Sequence, residues 1–446
     1  MRRALLLIGD IVILYLSLLL TLLVRYGSGS EYYRNLNIHF LPFTFLFGLW
    51  VIIFYMANLY DISFTKNNLR LFTVFLYATI VNASISIAFF YTIPFLKITP
   101  KTNFLIFLTI ELVLATPWRY FFNKIITASG SKNNTLILGL SEQAQEMYDF
   151  MLANPQLGYH ALGIVDVEHS TAAEVLENLV RQKNVKTLIL APVAYRAPRI
   201  IDILYRLVGP GMTFHNLADF FEPMTGRISL GTIDQTWFIK NLSGGNKRIY
   251  ETIKRIADIT LALIISIITL PFYPFIILAI KLDSEGPVFY RQVRVGQAGK
   301  PFILIKFRNM IKEAESTTGA VWASEDDSRV TRVGRFLRRT RIDELPQIWN
   351  ILKGEMSFIG PRPERPEFRE KLKKEIPFYE ERYLIRPGLT GWAQTKFKLD
   401  FRGGMTLKDT YEKLQYDLYY IKNRSLVLDG AVVLKTINII LKKLFR

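Results

Sequence analysis

The stretch ITLALIISIITLPFYPFIILAI, residues 259–280, decides how the fold of this chain is interpreted. It carries no charged residue and is long enough to cross the hydrocarbon of a bilayer. Pro271 and Pro274 lie near its middle, however, and proline removes a helical hydrogen bond and kinks the chain. If the segment crossed, the basic sequence after Lys281 would lie outside, against the positive-inside bias. We therefore predict a re-entrant helix broken at Pro271, with both ends cytoplasmic, and an ordinary kinked span is the alternative.

Further apolar stretches fill the first quarter of the chain, and half of all its residues are hydrophobic. The first stretch follows Arg2 and Arg3 as a signal peptide would, but its apolar run is long and no small-residue cleavage site follows. We interpret it as an anchor. Four transmembrane helices are predicted within residues 1–125, with Arg119 on the cytoplasmic side. The stretches are residues 4–24, 40–60, 71–95 and 104–118.

From about residue 134 the pattern changes to short β-rich runs that alternate with amphipathic helices. This alternation predicts a Rossmann-like α/β domain with a parallel sheet over residues 130–240. The turn Gly139-Leu140-Ser141 lacks the full glycine pattern of a dinucleotide site, which favours a structural or regulatory role. The predicted strands are residues 135–139, 161–167 and 187–190, and the predicted helices are residues 142–152 and 172–181.

The net charge of +18 is unevenly distributed, because more than half of the 56 lysines and arginines follow residue 280. A basic domain attached to a membrane can meet nucleic acid, acidic lipid headgroups or a phosphorylated substrate. Lys254 and Arg255, just before the broken apolar segment, are predicted to bind headgroups. The chain has no cysteine, which excludes a disulfide framework, a thiolate nucleophile and a thiolate metal site.

An acidic pair, Asp343 and Glu344, follows an arginine-rich run, and loops fixed by Gly and Pro present Arg362 and Arg386. Arginine binds phosphate oxygens in a bidentate manner, and glycine loops let backbone N–H groups approach an anion. Such a set suits a diphosphate. One carboxylate would then hold Mg²⁺, while the other is free as a nucleophile. A solvated helix start is the alternative for the acidic pair, and salt bridges are the alternative for the two arginines.

The ordered motifs resemble the bacterial sugar transferase family, the monotopic polyprenyl-phosphate phosphoglycosyl transferases, over about residues 246–446. The whole chain is similar to the long form of that family. This likeness implies a membrane protein with a four-helix transmembrane N-terminal region, a Rossmann-like α/β domain and an α/β monotopic catalytic domain with a re-entrant helix at 259–280. The five motifs are residues 281–296, 306–310, 338–347, 353–363 and 386–394.

The resemblance implies transfer of a sugar 1-phosphate from a UDP-sugar to undecaprenyl phosphate, with release of UMP. By that likeness Asp343 is the nucleophile that forms a covalent aspartyl phosphosugar intermediate, and Glu344 helps to place Mg²⁺. Arg386 is expected to join the phosphate-binding set. The family positions near the substrate phosphates are Lys306, Arg308, Arg338 and Arg362.

The likeness also implies a cellular setting. The enzyme would lie in the bacterial cytoplasmic (inner) membrane with its catalytic domain facing the cytoplasm, and would bind no nucleic acid. It would catalyse the first membrane step of exopolysaccharide, capsule or O-antigen (lipopolysaccharide) glycan assembly. A homodimer is expected.

Two positions depart from the family pattern. The family often has Ser-Pro at the membrane break, whereas this chain has Leu270-Pro271, and Thr269 is expected to replace the serine hydroxyl. The position two before the nucleophile, often a small hydroxyl residue, is Arg341 here.

Two other functions compete with this one. A membrane-anchored NAD-dependent enzyme that modifies nucleotide sugars would need an acid about 20 residues beyond the glycines, whereas Asp166 lies later. A non-catalytic membrane scaffold or nucleic-acid binder would present a charged face without fixed loops. Here the arginines are tied to Gly-Pro turns and paired with acids, which favours the transferase.

Overall fold

The computed structural model describes residues 2–60, 69–92, 102–129, 133–209, 211–242, 247–311, 327–397 and 406–444. The chain forms two compact units, Met1–Asn216 and Leu217–Arg446.

The first unit contains four long helices followed by a small α/β domain. The helices are α1 (Arg2–Tyr26), α2 (Ser30–Met56), α3 (Leu69–Thr92) and α4 (Thr102–Ser129). The α/β domain follows as β1 (Asn133–Leu138), α5 (Glu142–Ala153), β2 (Tyr159–Val165), α6 (Ala172–Lys183), β3 (Thr187–Leu190), α7 (Pro198–Leu207) and β4 (Thr213–Asn216).

Helices α1 to α4 pack side by side around apolar side chains. Leu14, Leu18 and Leu22 recur every four residues, so they share one face of α1, and all three are buried. Trp50 and Phe107 stack edge to face in the same core, with ring centroids 5.6 Å apart. The apolar stretches of the sequence thus become helices that also pack against one another. By length and composition, each of the four can cross a membrane.

The structure corrects the position predicted for Arg119. Instead of flanking the fourth helix, Arg119 lies within α4 and is buried. Its guanidinium pairs with the Asp10 carboxylate on α1, donates to the Leu59 carbonyl at 3.3 Å and covers the Phe75 ring. A buried charge must be paired to be tolerated, so Arg119 joins α1 to α4. The side of the membrane that this end of α4 faces stays a prediction.

The α/β domain has the predicted parallel sheet, with strand order β2-β1-β3-β4. Ser141 caps α5, and its Oγ accepts the Ala144 N–H at 3.1 Å. Gly139 ends β1 so close to the turn after β3 that a Cβ there would lie 2.4 Å from Val193 Cγ1. Dinucleotides bind where the strand order reverses, between such turns. Because Val193 fills this place, the NAD-dependent alternative is disfavoured. The Rossmann-like classification stays a prediction.

The second unit combines helices with two small sheets. Its helices are α8 (Leu217–Thr225), α9 (Gln235–Leu242), α10 (Arg248–Thr269), α11 (Tyr273–Asp283), α12 (Arg332–Thr340), α13 (Ile348–Lys353), α14 (Pro366–Glu375), α15 (Trp392–Lys396), α16 (Leu407–Asn423) and α17 (Leu426–Leu444). Its strands are β5 (Phe289–Val295) and β6 (Pro301–Phe307), which form an antiparallel hairpin, and β7 (Ser357–Ile359) and β8 (Gly388–Thr390), which run parallel.

Residues 217–242 pack within this second unit. The Glu222 carboxylate on α8 binds Lys422 Nζ at 2.7 Å and Asn423 Nδ2 at 2.6 Å. The Gly226 carbonyl accepts the Trp392 indole N–H at 2.8 Å. The predicted α/β range of 130–240 therefore extends past the division between the two units.

The apolar segment 248–283 is a helix interrupted at the predicted position. Helix α10 ends at Thr269, a 3₁₀ turn at Leu270–Phe272 carries Pro271, and α11 continues from Tyr273. Thr269 Oγ1 donates to the Ile265 carbonyl at 2.7 Å, so a threonine hydroxyl does bind the backbone at this break. The segment is the fifth that is long and apolar enough to cross a membrane among the residues that the structure describes.

Candidate active site

The acidic pair lies on a 3₁₀ turn, Ile342–Gln347, directly after α12. Helix α12 ends because Arg341 adopts a left-handed conformation with φ of 58°, which an L residue enters at a cost of about 1 kcal/mol. This turn directs Asp343 and Glu344 inward, where they are 7% and 9% exposed. A solvated helix start, the alternative for these acids, is therefore wrong.

Asp343 is held by one neutral donor and lies among charges. Its Oδ2 accepts the Asn309 amide N–H at 2.6 Å, and both side chains are buried. Burial, reinforced by the charge of Glu344, raises the pKa of Asp343 to about 6, while Lys306 opposes the rise. The carboxylate therefore stays mostly ionised at neutral pH in an environment that favours loss of its charge. Attack on an electrophile would remove that charge.

Glu344 is neutralised by arginines. Arg362 Nη2 lies 3.0 Å from Oε1, and Arg341 Nη1 lies 3.5 Å from Oε2. Burial alone would raise the pKa of Glu344, but Arg362 and then Arg341 bring it below its ordinary value. The pKa values of the two adjacent acids are therefore shifted in opposite directions. The pKa of Glu344 is lowered, whereas that of Asp343 is raised.

The donor chemistry of this pair fits Mg²⁺. Mg²⁺ is bound by one or two carboxylates, with substrate phosphates and waters as its other ligands. Glu344 Oε2 has the looser of the two arginine contacts, and a diphosphate would offer both guanidinium groups another anionic partner. No cluster of three or more potential metal ligands from His, Asp and Glu occurs within the described ranges, so substrate oxygens would have to complete the site.

Lys306 supplies a half-buried cation beside the acids. It lies on β6, with Nζ 4.9 Å from the centroid of the Tyr290 ring on β5. Burial lowers the pKa of Lys306 to about 8, and the charge of Asp343 partly restores it. Arg338, in the last turn of α12, is near enough for its charge to lower that pKa further. Lys306 and Arg362 thus lie near the acidic pair, and Arg338 lies near Lys306. Binding of substrate phosphates by these three residues stays a prediction.

Arg308 and Arg386 are placed differently from the prediction. The Arg308 guanidinium is buried and donates to backbone carbonyls at the end of α11, which accounts for it without a phosphate. Arg386 lines a small crevice together with Glu251 and Asp258 on α10. The structure brings neither residue into contact with the acidic pair.

The two residues predicted to bind headgroups also have partners within the protein. Lys254 Nζ lies 3.0 Å from the Asp429 carboxylate. Arg255 donates to the carbonyls of Ile351 and Leu352 at 2.6 and 2.9 Å, which caps the C-terminus of α13. Headgroup binding by either residue stays a prediction.

Side chains outside the predicted phosphate-binding set position the Arg362 loop. Arg382 Nη2 donates to the Arg362 carbonyl at 3.0 Å and pairs with Asp417 at 2.9 Å. Arg294 Nη1 donates to the Pro363 carbonyl at 3.0 Å. Gly360 lies so close to β8 that a Cβ there would approach the Arg386 carbonyl oxygen to 2.5 Å. The loop is therefore fixed from three sides, which positions Arg362 in advance.

Asn309, Arg294 and Arg382 are the functional residues that sequence reasoning missed. Asn309 directly follows the predicted Lys306 and Arg308, so its place in that motif was the available signal. Arg382 has no such signal, because its partner Asp417 is 35 residues away in the sequence.

Comparisons with known proteins agree with this geometry. The family model described as bacterial sugar transferase matches residues 249–443. The chain is similar to a UDP-N-acetylgalactosamine-undecaprenyl-phosphate N-acetylgalactosaminephosphotransferase of Aeromonas hydrophila, with 42% identity over 51% of this chain and 52% of that protein. It is similar to a UDP-glucose:undecaprenyl-phosphate glucose-1-phosphate transferase of Xanthomonas campestris pv. campestris, with 31% identity over 73% of this chain and 70% of that protein.

A third relative matches a shorter part of the chain at higher identity. It is a putative undecaprenyl-phosphate N-acetylgalactosaminyl 1-phosphate transferase of Bacillus subtilis (strain 168), 56% identical over 30% of this chain and 74% of that protein. The match thus spans about half of the Aeromonas protein and more than two thirds of the other two. On these similarities, the chain belongs to the bacterial sugar transferase family, a family of undecaprenyl-phosphate sugar phosphotransferases.

Proposed function

We propose that this chain transfers a sugar 1-phosphate from a UDP-sugar to undecaprenyl phosphate and releases UMP. The observation that carries the proposal is the environment of Asp343, a buried carboxylate that accepts a hydrogen bond from Asn309 and lies near the cations of Lys306 and Arg362. An anionic substrate with two phosphates would match those cations. The relatives are named as undecaprenyl-phosphate sugar phosphotransferases, which supports the same reaction.

The first step is attack of an Asp343 carboxylate oxygen on the β-phosphorus of the UDP-sugar. A bond forms between Oδ and phosphorus, and the bond from that phosphorus to the oxygen bridging the two phosphates breaks. UMP leaves with the bridging oxygen, and the aspartyl phosphosugar remains. An ionised carboxylate needs no base for this attack. The cations near Asp343 would neutralise the charge that develops on the leaving phosphate.

The second step returns the carboxylate to its starting form. A phosphate oxygen of undecaprenyl phosphate attacks the same phosphorus, and the bond between phosphorus and Asp343 Oδ breaks. The product is a lipid-linked sugar diphosphate. One phosphoanhydride has replaced another, so the barrier depends mainly on positioning and on charge neutralisation. When bound, Mg²⁺ would neutralise phosphate charge, and Glu344 is the residue placed to hold it.

We propose that segment 248–283 is re-entrant and that the acidic pair faces the cytoplasm at headgroup level. Support comes from the two ends of the segment, which both bind the same unit. At the start, the Asp258 carboxylate accepts the Phe358 N–H at 3.2 Å. At the end, the Asp283 carboxylate accepts the Val333 N–H at 2.8 Å. A folded domain that holds both ends keeps them on one side of a membrane. The inner-membrane location belongs to this proposal, and the expected glycan pathway and homodimer stay predictions.

The sugar must be found by experiment, because the relatives act on different ones. Membranes that contain the protein should be incubated with undecaprenyl phosphate, Mg²⁺ and, separately, the UDP derivatives of glucose, galactose, N-acetylglucosamine and N-acetylgalactosamine. We expect one or two of them to give UMP together with a lipid-linked product. The control is the same membrane with Asp343→Asn. Release of UMP at an equal rate by that variant would contradict the nucleophile assignment.

A further inference from the structure

Arg308 fastens the end of the membrane segment to the strand that enters the active site. Its Nη1 donates to the Glu285 carbonyl at 2.9 Å, and its Nη2 donates to the carbonyls of Ser284 at 2.6 Å and Ile280 at 3.4 Å. The last helical carbonyls have no partner within a helix, so an arginine is a suitable cap for them. The Arg308 N–H also donates to the Val288 carbonyl at 2.8 Å. The segment cannot leave this position without breaking several hydrogen bonds.

The neighbours of Arg308 in the sequence belong to the active site. Two residues before it, Lys306 lies beside Asp343, and directly after it, Asn309 donates to the Asp343 carboxylate. The Asn309 carbonyl in turn accepts the Thr331 N–H at 3.2 Å and lies against α12, where a Cβ on Gly334 would approach it to 2.0 Å. The nucleophile and the end of the membrane segment are therefore connected through four consecutive residues, 306–309.

Packing reinforces the same connection. Ile280, Phe307 and Leu337 form a buried apolar cluster between α11, β6 and α12. The Tyr273 ring, just after the helix break, packs edge to face on Phe307 with centroids 5.1 Å apart. Phe307 thus packs against both the first and the last part of α11. A shift of α11 would therefore displace β6.

We propose that Arg308 is a positioning residue that sets the height of Asp343 relative to the membrane segment. It would thereby control transfer to the lipid phosphate and leave binding of the UDP-sugar unaffected. The proposal rests on the proposed function. Its physical basis is that a lipid phosphate is held at headgroup level by its tail, whereas a soluble nucleotide sugar reaches the site from water. A displacement of Asp343 relative to the membrane therefore slows only the transfer to the lipid phosphate. A displacement of about 1 Å is enough to lower a rate by roughly 10²-fold.

The test separates the two steps in full-length protein in bilayer nanodiscs. Arg308→Gln removes the charge and most of the donors, whereas Arg308→Lys keeps the charge and three donors. The matched control is Arg369→Gln, since Arg369 pairs with Glu380 and, within the part of the chain that the structure describes, forms no hydrogen bond with the membrane segment. UMP released in a single turnover without acceptor reports the first step, and lipid-linked product reports the second.

We expect Arg308→Gln to keep the UMP yield and the KM for UDP-sugar within about threefold of the unsubstituted protein. We expect its rate of lipid transfer to fall by about 10- to 100-fold, with partial rescue in Arg308→Lys. A parallel fall in both steps, or a rise of 10-fold or more in the KM for UDP-sugar, would overturn the proposal and restore Arg308 as a phosphate ligand. If Arg308→Gln fails to fold, Arg308→Lys is judged by the same criteria.

Failure of the proposed function has a different signature. If the unsubstituted protein releases no UMP without acceptor, the covalent intermediate is wrong whatever Arg308 does. The Arg308 variants are then compared in steady state. A raised KM for undecaprenyl phosphate with an unchanged KM for UDP-sugar would support the positioning role, and the reverse pattern would overturn it.

Discussion

Helices α1 to α4 and the segment 248–283 are all long and apolar enough to cross a membrane but are stabilised in different ways. In the most apolar window of each of the four helices, 28–39% of the residues are buried within the protein, whereas the corresponding fraction for segment 248–283 is 6%. The four helices bury leucines and aromatic rings against one another and enclose the Asp10–Arg119 pair. The segment 248–283 leaves many of its apolar side chains exposed, among them Ile264, Ile267 and Phe275, although Ile280 is buried.

The segment 248–283 is held in place by polar contacts at its two ends. Arg255 and Asp258 attach the start of the segment to the catalytic unit, and Asp283 and Arg308 attach its end. Apolar length therefore indicates contact with lipid in both regions but does not give the path of the chain. The polar bonds at the ends of a segment carry that information. The predictions below test this contrast. The bundle is held together by its own packing, whereas the segment is fastened at its ends to the unit that contains the acidic pair.

The largest expected difference is between two buried aspartates, one in the helical bundle and one in the unit to which segment 248–283 is fastened. Asp343→Asn should lower UMP release by about 10³-fold or more, because an amide is not a nucleophile. Asp10→Asn leaves Arg119 without its carboxylate, so it should lower the yield of folded protein but leave the activity per folded molecule within about twofold. Both rates are measured on purified protein at equal concentration. Loss of specific activity in Asp10→Asn would show that the bundle takes part in the chemistry.

Substitution of Arg362 should have the second largest effect on activity. Arg362→Gln removes the principal partner of Glu344 and a cation for the diphosphate, so kcat/KM should fall by about 10²-fold. Arg362→Lys should recover only part of this, because lysine cannot make bidentate contacts to phosphate. Lys373→Gln, which removes an exposed cation on α14, is the control and should have little effect. Equal losses in the Arg362 and Lys373 variants would mean that total charge matters more than position.

Asn309 has a smaller predicted effect. Asn309→Ala removes the hydrogen bond to Asp343 without removing a charge, and such a bond is worth about 1.5–3 kcal/mol. We expect kcat to fall by about 10-fold or somewhat more, with a nearly unchanged KM for UDP-sugar. Asn309→Asp is the informative companion, because it puts a like charge beside Asp343 and should be worse than alanine. An alanine variant with full kcat would show that the 2.6 Å contact does not orient the nucleophile.

The smallest effect on activity is expected from two prolines. Pro271→Ala permits α10 and α11 to join into one straight helix, which would allow part of the population to cross the membrane, so total activity should fall a few-fold. Pro42→Ala, inside α2, should change neither topology nor activity, since that helix continues through its proline. Activity and protease accessibility of the C-terminal domain should be compared in the two variants. Equal behaviour would indicate that Pro271 does not set the path.

The sequence was informative where a chemical requirement is local. Acids and arginines on fixed loops predicted the gathering of Asp343, Glu344, Lys306 and Arg362, and alternating strands and helices predicted the parallel sheet. The interruption at Pro271 was predictable because proline breaks a helix wherever it lies.

The sequence was less informative about which group each arginine binds. Arg308, Arg255 and Arg119 each looked like a surface or substrate cation, and each is bound to backbone carbonyls or to a distant carboxylate. A guanidinium suits phosphate, carboxylate and carbonyl oxygen alike, so residue type alone cannot select among them. The packing of residues 217–242 in the second unit was missed for a similar reason, since Glu222 and Lys422 are 200 residues apart.

The most direct test of the central claim is to find which side of the membrane each end of segment 248–283 faces. The chain has no cysteine, so single substitutions Arg248→Cys and Lys281→Cys can be labelled without background. Ser28→Cys, between α1 and α2, is the control for the opposite face. With a membrane-impermeant maleimide, we predict that Arg248→Cys and Lys281→Cys react only in inverted vesicles and Ser28→Cys only in spheroplasts. Reaction of Arg248→Cys and Lys281→Cys from opposite sides would contradict the account.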